Sequence, residues 1–150
     1  MRNFILIAIA SFMCVQLAYA GDGLVKTKSP YSVKVTADRL EKVLQTKGMT
    51  IFGRINHARA AEKVGKKLRP TELLLFGNPK VGTPLMQCGQ SVAIDLPQKA
   101  LIWQDATGQV WLTYNDPQYI AQRHGIKDCQ KVIDKISRAL NNFAQAATKP

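Results

Sequence analysis

The chain has 150 residues, carries 21 Lys and Arg against 10 Asp and Glu for a formal net charge of +11, and is 46% hydrophobic. That length fits one domain with a sizeable core. The chain contains no internal repeat and no low-complexity tract, and the positive charge favours anionic partners such as lipid headgroups, cell-wall polymers or nucleic acid.

In chain order, residues 1–20 read as a signal peptide. Met1-Arg2-Asn3 gives a short cationic start, residues 4–17 form an uncharged, mostly apolar run, and Ala18-Tyr19-Ala20 places small residues where a signal peptidase reads them. Cleavage after Ala20 makes the protein periplasmic or secreted, with 20 basic and 10 acidic side chains left. The apolar run is shorter than the about 20 residues a bilayer span needs, so no stable membrane anchor is expected. Met13 and Phe12 are too bulky for Cys14 to be a lipid-attachment site, and Cys14 leaves with the leader. Export also makes nucleic acid the least natural anionic partner, and none is expected.

Residues 21–30 are polar, end in Ser29-Pro30 and read as a flexible linker into the domain. Residues 31–35 alternate apolar and polar, the period of a half-buried strand, and Thr36 is placed to cap a helix carrying Leu40, Val43 and Leu44 that Gly48 stops. Residues 49–55 predict a second strand. Asn56 caps a following helix with Ala58, Ala61, Val64 and Leu68 as its buried stripe and Pro70 as its terminator. The densest cationic stretch, with Arg54, Arg59, Lys63, Lys66, Lys67 and Arg69, falls here and reads as a solvated helix face.

Residues 72–76 are a central strand, followed by Gly77-Asn78-Pro79; Thr83 and Pro84 then predict the cap and first residue of a short helix over 85–90. A hairpin joins strands 99–104 and 109–114 through the turn at 105–108, with Trp103 and Trp111 filling the core or a dimer face. Asp116-Pro117 starts a helix that Gly125 closes, and Asp128 opens a last helix on which Val132, Ile133, Ile136, Leu140 and Phe143 recur at three- and four-residue steps. The order is β-α-β-α-β-β-β-α with short helical insertions, an α+β domain over residues 31–147 with a tail at 148–150. Cys88 and Cys129 remain after processing; an even count in an oxidising compartment points to a disulfide, with free buried thiols as the alternative and no Cys-x-x-Cys for a redox pair.

Leu75-Phe76-Gly77-Asn78-Pro79, Gly82-Thr83-Pro84-Leu85-Met86 and Asp95-Leu96-Pro97 resemble the domain of unknown function 302 family. The resemblance takes in Arg54-Ile55-Asn56-His57-Ala58, Leu68-Arg69-Pro70-Thr71, Trp111, Tyr114-Asn115-Asp116-Pro117 and Arg123-His124-Gly125, and so covers residues 31–146. It implies a curved, mainly antiparallel sheet backed by helices in a TATA-binding-protein-like layout, and a homodimer; it implies no catalytic residue. The chain departs from the commonest pattern in its leader, in Asn56 where an aspartate is frequent, and in its cysteine pair.

The site candidates gather at one loop cluster. Phe76, Gly77, Asn78, Pro79, Gly82, Thr83, Pro84 and Met86 predict a fixed loop whose backbone amides, at two helix starts, are placed to hold an anion. Gly and Pro also have plain turn duties there. Asp95, Tyr114 and Asp116 fall at strand ends and are expected to close the same pocket. His57 and His124 lack local ligand spacing, so no metal and no cofactor is expected. There is no Gly-x-Ser-x-Gly elbow, and Ser91 and Ser137 sit in plain contexts. The reading is a homodimeric module for a small anionic or hydrophobic ligand, or a partner protein. The alternatives are an enzyme using Asp95, Tyr114, Asp116 and His124 in that cleft, or an electrostatic binder of anionic envelope polymers through Lys63, Lys66 and Lys67.

Overall fold

A computed structural model describes residues 22–150, so the leader and the fate of Cys14 lie outside the described residues. Five antiparallel strands form one sheet in the order β1-β5-β4-β3-β2, from β1 (Leu24–Ser29), β2 (Thr50–Asn56), β3 (Thr71–Gly77), β4 (Gln98–Gln104) and β5 (Val110–Asn115). The helices are α1 (Val33–Thr46), α2 (His57–Glu62), α3 (Pro79–Cys88), α4 (Pro117–Arg123) and α5 (Gln130–Thr148), with a 3₁₀ helix over Gln90–Asp95.

Alternation along β3 shows how the layers form. Glu72, Leu74 and Phe76 are buried under the helices, while Thr71, Leu73 and Leu75 turn to the other face. Leu40 and Leu44 of α1 and Ile133, Ile136 and Leu140 of α5 pack in the same core as Leu74, Phe76, Ala100, Ile102 and Leu112. Register sets Leu73 opposite Leu101 and Ile55, and Trp103 opposite Trp111 and Thr71. These residues make an apolar stripe on the far face of the sheet, bordered by Lys26 and Lys28 of β1. Lys28 lies 5.6 Å from the Trp111 ring centre, and Trp103 Nε1 donates to Thr113 Oγ1 at 3.0 Å.

Several boundaries differ from the sequence expectation. The first strand is β1, inside the expected linker, and not residues 31–35; its inward face is Val25, Thr27 and Ser29, too weakly apolar to announce a strand. Ser32 caps α1 four residues before Thr36, accepting the Val35 N–H at 3.3 Å. Thr36 is instead buried, its hydroxyl 2.7 Å from Ser29 Oγ. The expected helix over Ala58, Ala61, Val64 and Leu68 is α2, which stops at Glu62; Gly65 takes φ +68°, and Val64 and Leu68 are exposed. Lys63, Lys66 and Lys67 follow that stop, all exposed.

The expected tail is held down. Thr148 is a buried residue of α5, Arg39 donates to the Ala147 carbonyl at 2.8 Å and to that of Lys149 at 2.6 Å, and the Tyr31 hydroxyl reaches Lys149 O at 3.2 Å. Asp116 caps α4 as expected, accepting the Gln118 N–H at 2.9 Å.

Candidate functional site

The expected loop cluster is a helix. Asn78, not Thr83, is the N-cap of α3, its Oδ1 accepting the Lys80 N–H and its carbonyl accepting the Val81 and Gly82 N–H groups, each at 2.9 Å. Pro84 sits inside the helix, where its missing N–H forfeits one backbone bond. Asn78 Nδ2 donates to the Gly48 carbonyl at 3.0 Å, tying this start to the end of α1, where Gly48 takes φ +71°. The Lys80, Val81 and Gly82 amides are therefore spent within the helix start, and the expected amide-lined anion loop is corrected to an N-cap.

What the segment does build is an apolar groove of about 680 Å³ between α3, α5 and the ends of β2, β3 and β4. Met49, Phe52, Val81, Met86, Leu96 and Phe143 are among its apolar lining, with Lys47, Asn78, Thr83 and Gln98 as polar members. The β2–β3 ladder slips between Ile51 and Gly53, leaving Phe52 as the extra residue of a bulge, a device that re-aims one side chain beside a site. Phe52 lies over Gly77 so closely that a β-carbon there would stand 3.1 Å from its ring, a close approach that glycine accommodates without displacing the ring. Phe52 is nevertheless 59% exposed, an aromatic wall open to a ligand.

Of the candidates, Gly77, Asn78, Pro79, Gly82, Thr83 and Met86 line this groove, whereas Phe76 is core and Pro84 stays off the lining. Tyr114 is 5% exposed in the core, and burial together with the Asp116 charge raises its pKa. Asp116 is occupied as the α4 cap. The expected single cleft closed by Asp95, Tyr114 and Asp116 is thus not formed, because Asp95 ends the 3₁₀ helix, Tyr114 is buried within β5 and Asp116 caps α4.

Asp95 and His124 do meet, in a second place. Asp95 Oδ2 is 2.6 Å from His124 Nε2, Arg123 donates to Asp95 Oδ1 at 3.3 Å, and His124 Nδ1 is 2.9 Å from Ser91 Oγ. Sequence reasoning missed Ser91, which is 33 residues from its histidine and has no local motif around it. The cysteines bracket the cluster: Cys88 and Cys129 lie at bonding distance with Cα atoms 6.1 Å apart, joining the end of α3 to the start of α5.

A third polar centre surrounds Arg54. Its Nε donates to Glu72 at 2.6 Å, one terminal nitrogen reaches Asp38 at 2.6 Å and Glu41 at 3.2 Å, and the other approaches the Lys34 carbonyl at 3.5 Å. Burial works against the charge, but the hydrogen bonds to Asp38 and Glu72 prevail and raise the Arg54 pKa above its ordinary value. The Lys34 ammonium, followed by Arg54, lowers that of Asp38. Among the described residues no three His, Cys, Asp or Glu side chains gather as a metal site.

A family model described as Domain of unknown function DUF302 matches residues 25–143. The crystal structure of an uncharacterised conserved DUF302 protein from Bacillus stearothermophilus superposes with a TM-score of 0.77 at 16% identity, covering 85% of this chain and 99% of that one, a likeness of fold. Two curated relatives, each called fluoride-specific ion channel FluC 1, come from Brucella suis biovar 1 (strain 1330) and Brucella abortus biovar 1 (strain 9-941). Each is 46% identical over 104 residues, 69% of this chain. The match spans 41% and 38% of their respective lengths, about two fifths of each.

Proposed function

The chain belongs to the DUF302 family, and from that premise we propose that it is an exported, homodimeric module that binds a small apolar ligand with a negatively charged head. The groove carries the reading: its volume lies within the range of small-molecule sites, and its lining is aromatic, thioether and aliphatic with few polar members. Lys47 on that lining supplies a cation for the head group, and the positive charge of the chain favours the same sign of ligand. The bulge that presents Phe52 is a local irregularity with a use.

The apolar stripe of Leu73, Leu101, Trp103 and Trp111 supports the dimer, since a sheet face of this composition gains by burial against a second copy. Ion conduction stays with the FluC relatives: this chain spans about two fifths of their length, and no helix among the described residues is long and apolar enough to cross a membrane.

Calorimetric titration of the mature chain with medium-chain fatty acids tests the proposal. We expect saturable binding, weakened about tenfold in Phe52→Ala, equivalent to about 1.4 kcal/mol, and abolished in Val81→Asp. Binding that is absent, or unchanged in both variants, removes the groove from consideration.

A further inference from the structure

Ser91, His124 and Asp95 form a continuous hydrogen-bonded chain, separate from the groove, whose order is that of a nucleophile, its base and the group that orients the base. With the imidazole neutral and the Asp95 carboxylate accepting, His124 Nε2 carries the hydrogen and Nδ1 keeps its lone pair. The Ser91 hydroxyl then donates to Nδ1 across 2.9 Å. The His124 side chain is 8% exposed and Asp95 is 15% exposed, with Arg123 gripping the second oxygen of Asp95, so the imidazole is held in one orientation. Ser91 itself is exposed. The base is sheltered and the hydroxyl is open, as a nucleophile and its base require.

Two further features converge on this point. The 3₁₀ helix over Gln90–Asp95 places residues three apart above one another, so Ile94, 75% exposed, shares the face of Ser91. An unburied isoleucine beside an open hydroxyl suits the alkyl portion of an ester. The Cys88–Cys129 pair, three residues before Ser91 and five after His124, brackets both partners in sequence and ties together the chain segments that carry them.

We infer that Ser91 is an acylable nucleophile activated by His124, with Asp95 and Arg123 as positioning residues, and that its substrates are carboxylic esters with small apolar acyl groups. Ser91 Oγ attacks the ester carbonyl carbon as its proton passes to His124 Nδ1. The carbon–oxygen bond to the alcohol breaks, and the alcohol leaves with that proton. Water, deprotonated by the same nitrogen, hydrolyses the acyl-serine and restores the hydroxyl. A base so positioned contributes about 10²–10⁴-fold.

The test is reaction of the mature, disulfide-bonded chain with an alkyl fluorophosphonate at neutral pH, followed by intact mass and peptide mapping. The expected result is one phosphonyl group at Ser91 with loss of fluoride, none in Ser91→Ala, and labelling at least 10²-fold slower in His124→Gln. Ser137, whose hydroxyl donates to the Ile133 carbonyl within α5, serves as the internal control, and Ser137→Ala should label like the parent. Hydrolysis of p-nitrophenyl acetate should fall in parallel. A chain that stays unlabelled, labels at another serine, or labels at the same rate without His124 overturns the inference. Should His124→Gln not fold, the site of labelling in the parent and in Ser91→Ala decides alone.

Discussion

The Arg54 and His124 centres are built from the same ingredients and end differently. Around Arg54 the bonds are consumed: one guanidinium serves three carboxylates and a backbone carbonyl, and it joins α1 to β2 and β3. Around His124 the chain runs from Arg123 through Asp95 and the ring to a hydroxyl that faces solvent. A saturated network stabilises and a network with one free end can react, so the position of the last donor, and not the number of charges, separates a fastening from a candidate site.

That contrast can be broken by variants. The largest effect is expected where the bracket around the His124 centre is cut: replacing Cys88 and Cys129 by alanine frees a loop of 41 residues, which the chain-entropy account values at about 4 kcal/mol in denaturant titration. Next comes Arg54→Met, which leaves Glu72, 9% exposed, with only the 3.4 Å contact from Asn56 Nδ2 and two more acids nearby. A loss of about 3 kcal/mol is expected, at the low end for a broken buried pair because Arg54 is 26% exposed. Asp95→Asn keeps the shape of its side chain while giving up charge, and about 1–2 kcal/mol is expected. Ser91→Ala should change stability by less than about 0.5 kcal/mol. If Ser91→Ala costs as much as Asp95→Asn, the two centres do not differ in kind.

Acid sharpens the same comparison. Asp38 titrates below the usual 3.8 because of Lys34 and Arg54, so its contribution is present above pH 3.8 and lost as the pH falls through its lowered folded value. The stability gap between the parent and Arg54→Met should therefore narrow below pH 4. Asp105 is shifted in the same direction. Hydrogen bonds from Trp111 Nε1 and the Thr107 hydroxyl lower its pKa to about 2, so Trp111 fluorescence should change as the pH falls through about 2, and not in Asp105→Ala.

Strong periodicity made the central elements legible in sequence. Leu73 to Phe76, the β4–β5 hairpin and the stripe of α5 each bury enough apolar surface to impose their spacing. Where burial rests on small or polar groups the pattern fades: β1 buries Ser29 and presents only Val25 and Thr27 inward. Thr83-Pro84 is a sound helix start in isolation, but Asn78-Pro79 five residues earlier offers the same cap-plus-proline logic, and the Gly48 carbonyl that receives the Asn78 side chain decides between them. The groove was half visible, since its α3 residues are contiguous while Phe52 and Phe143 arrive from distant segments. Ser91 was invisible because its meaning lies wholly in a partner that only the tertiary fold brings near.

The bulge at Phe52 has one more effect, on what the molecule does in a crowd. It lies in β2, the outermost strand on its side, and a ladder that skips a residue is a poor template for an arriving strand. The opposite border is β1, where Lys28 would confront its own kind if two such borders aligned. Both margins of the sheet are thereby guarded by different means against fibrous growth, one by geometry and one by repulsion, and the protein should stay dispersed at concentrations where a flat, uncharged margin would not.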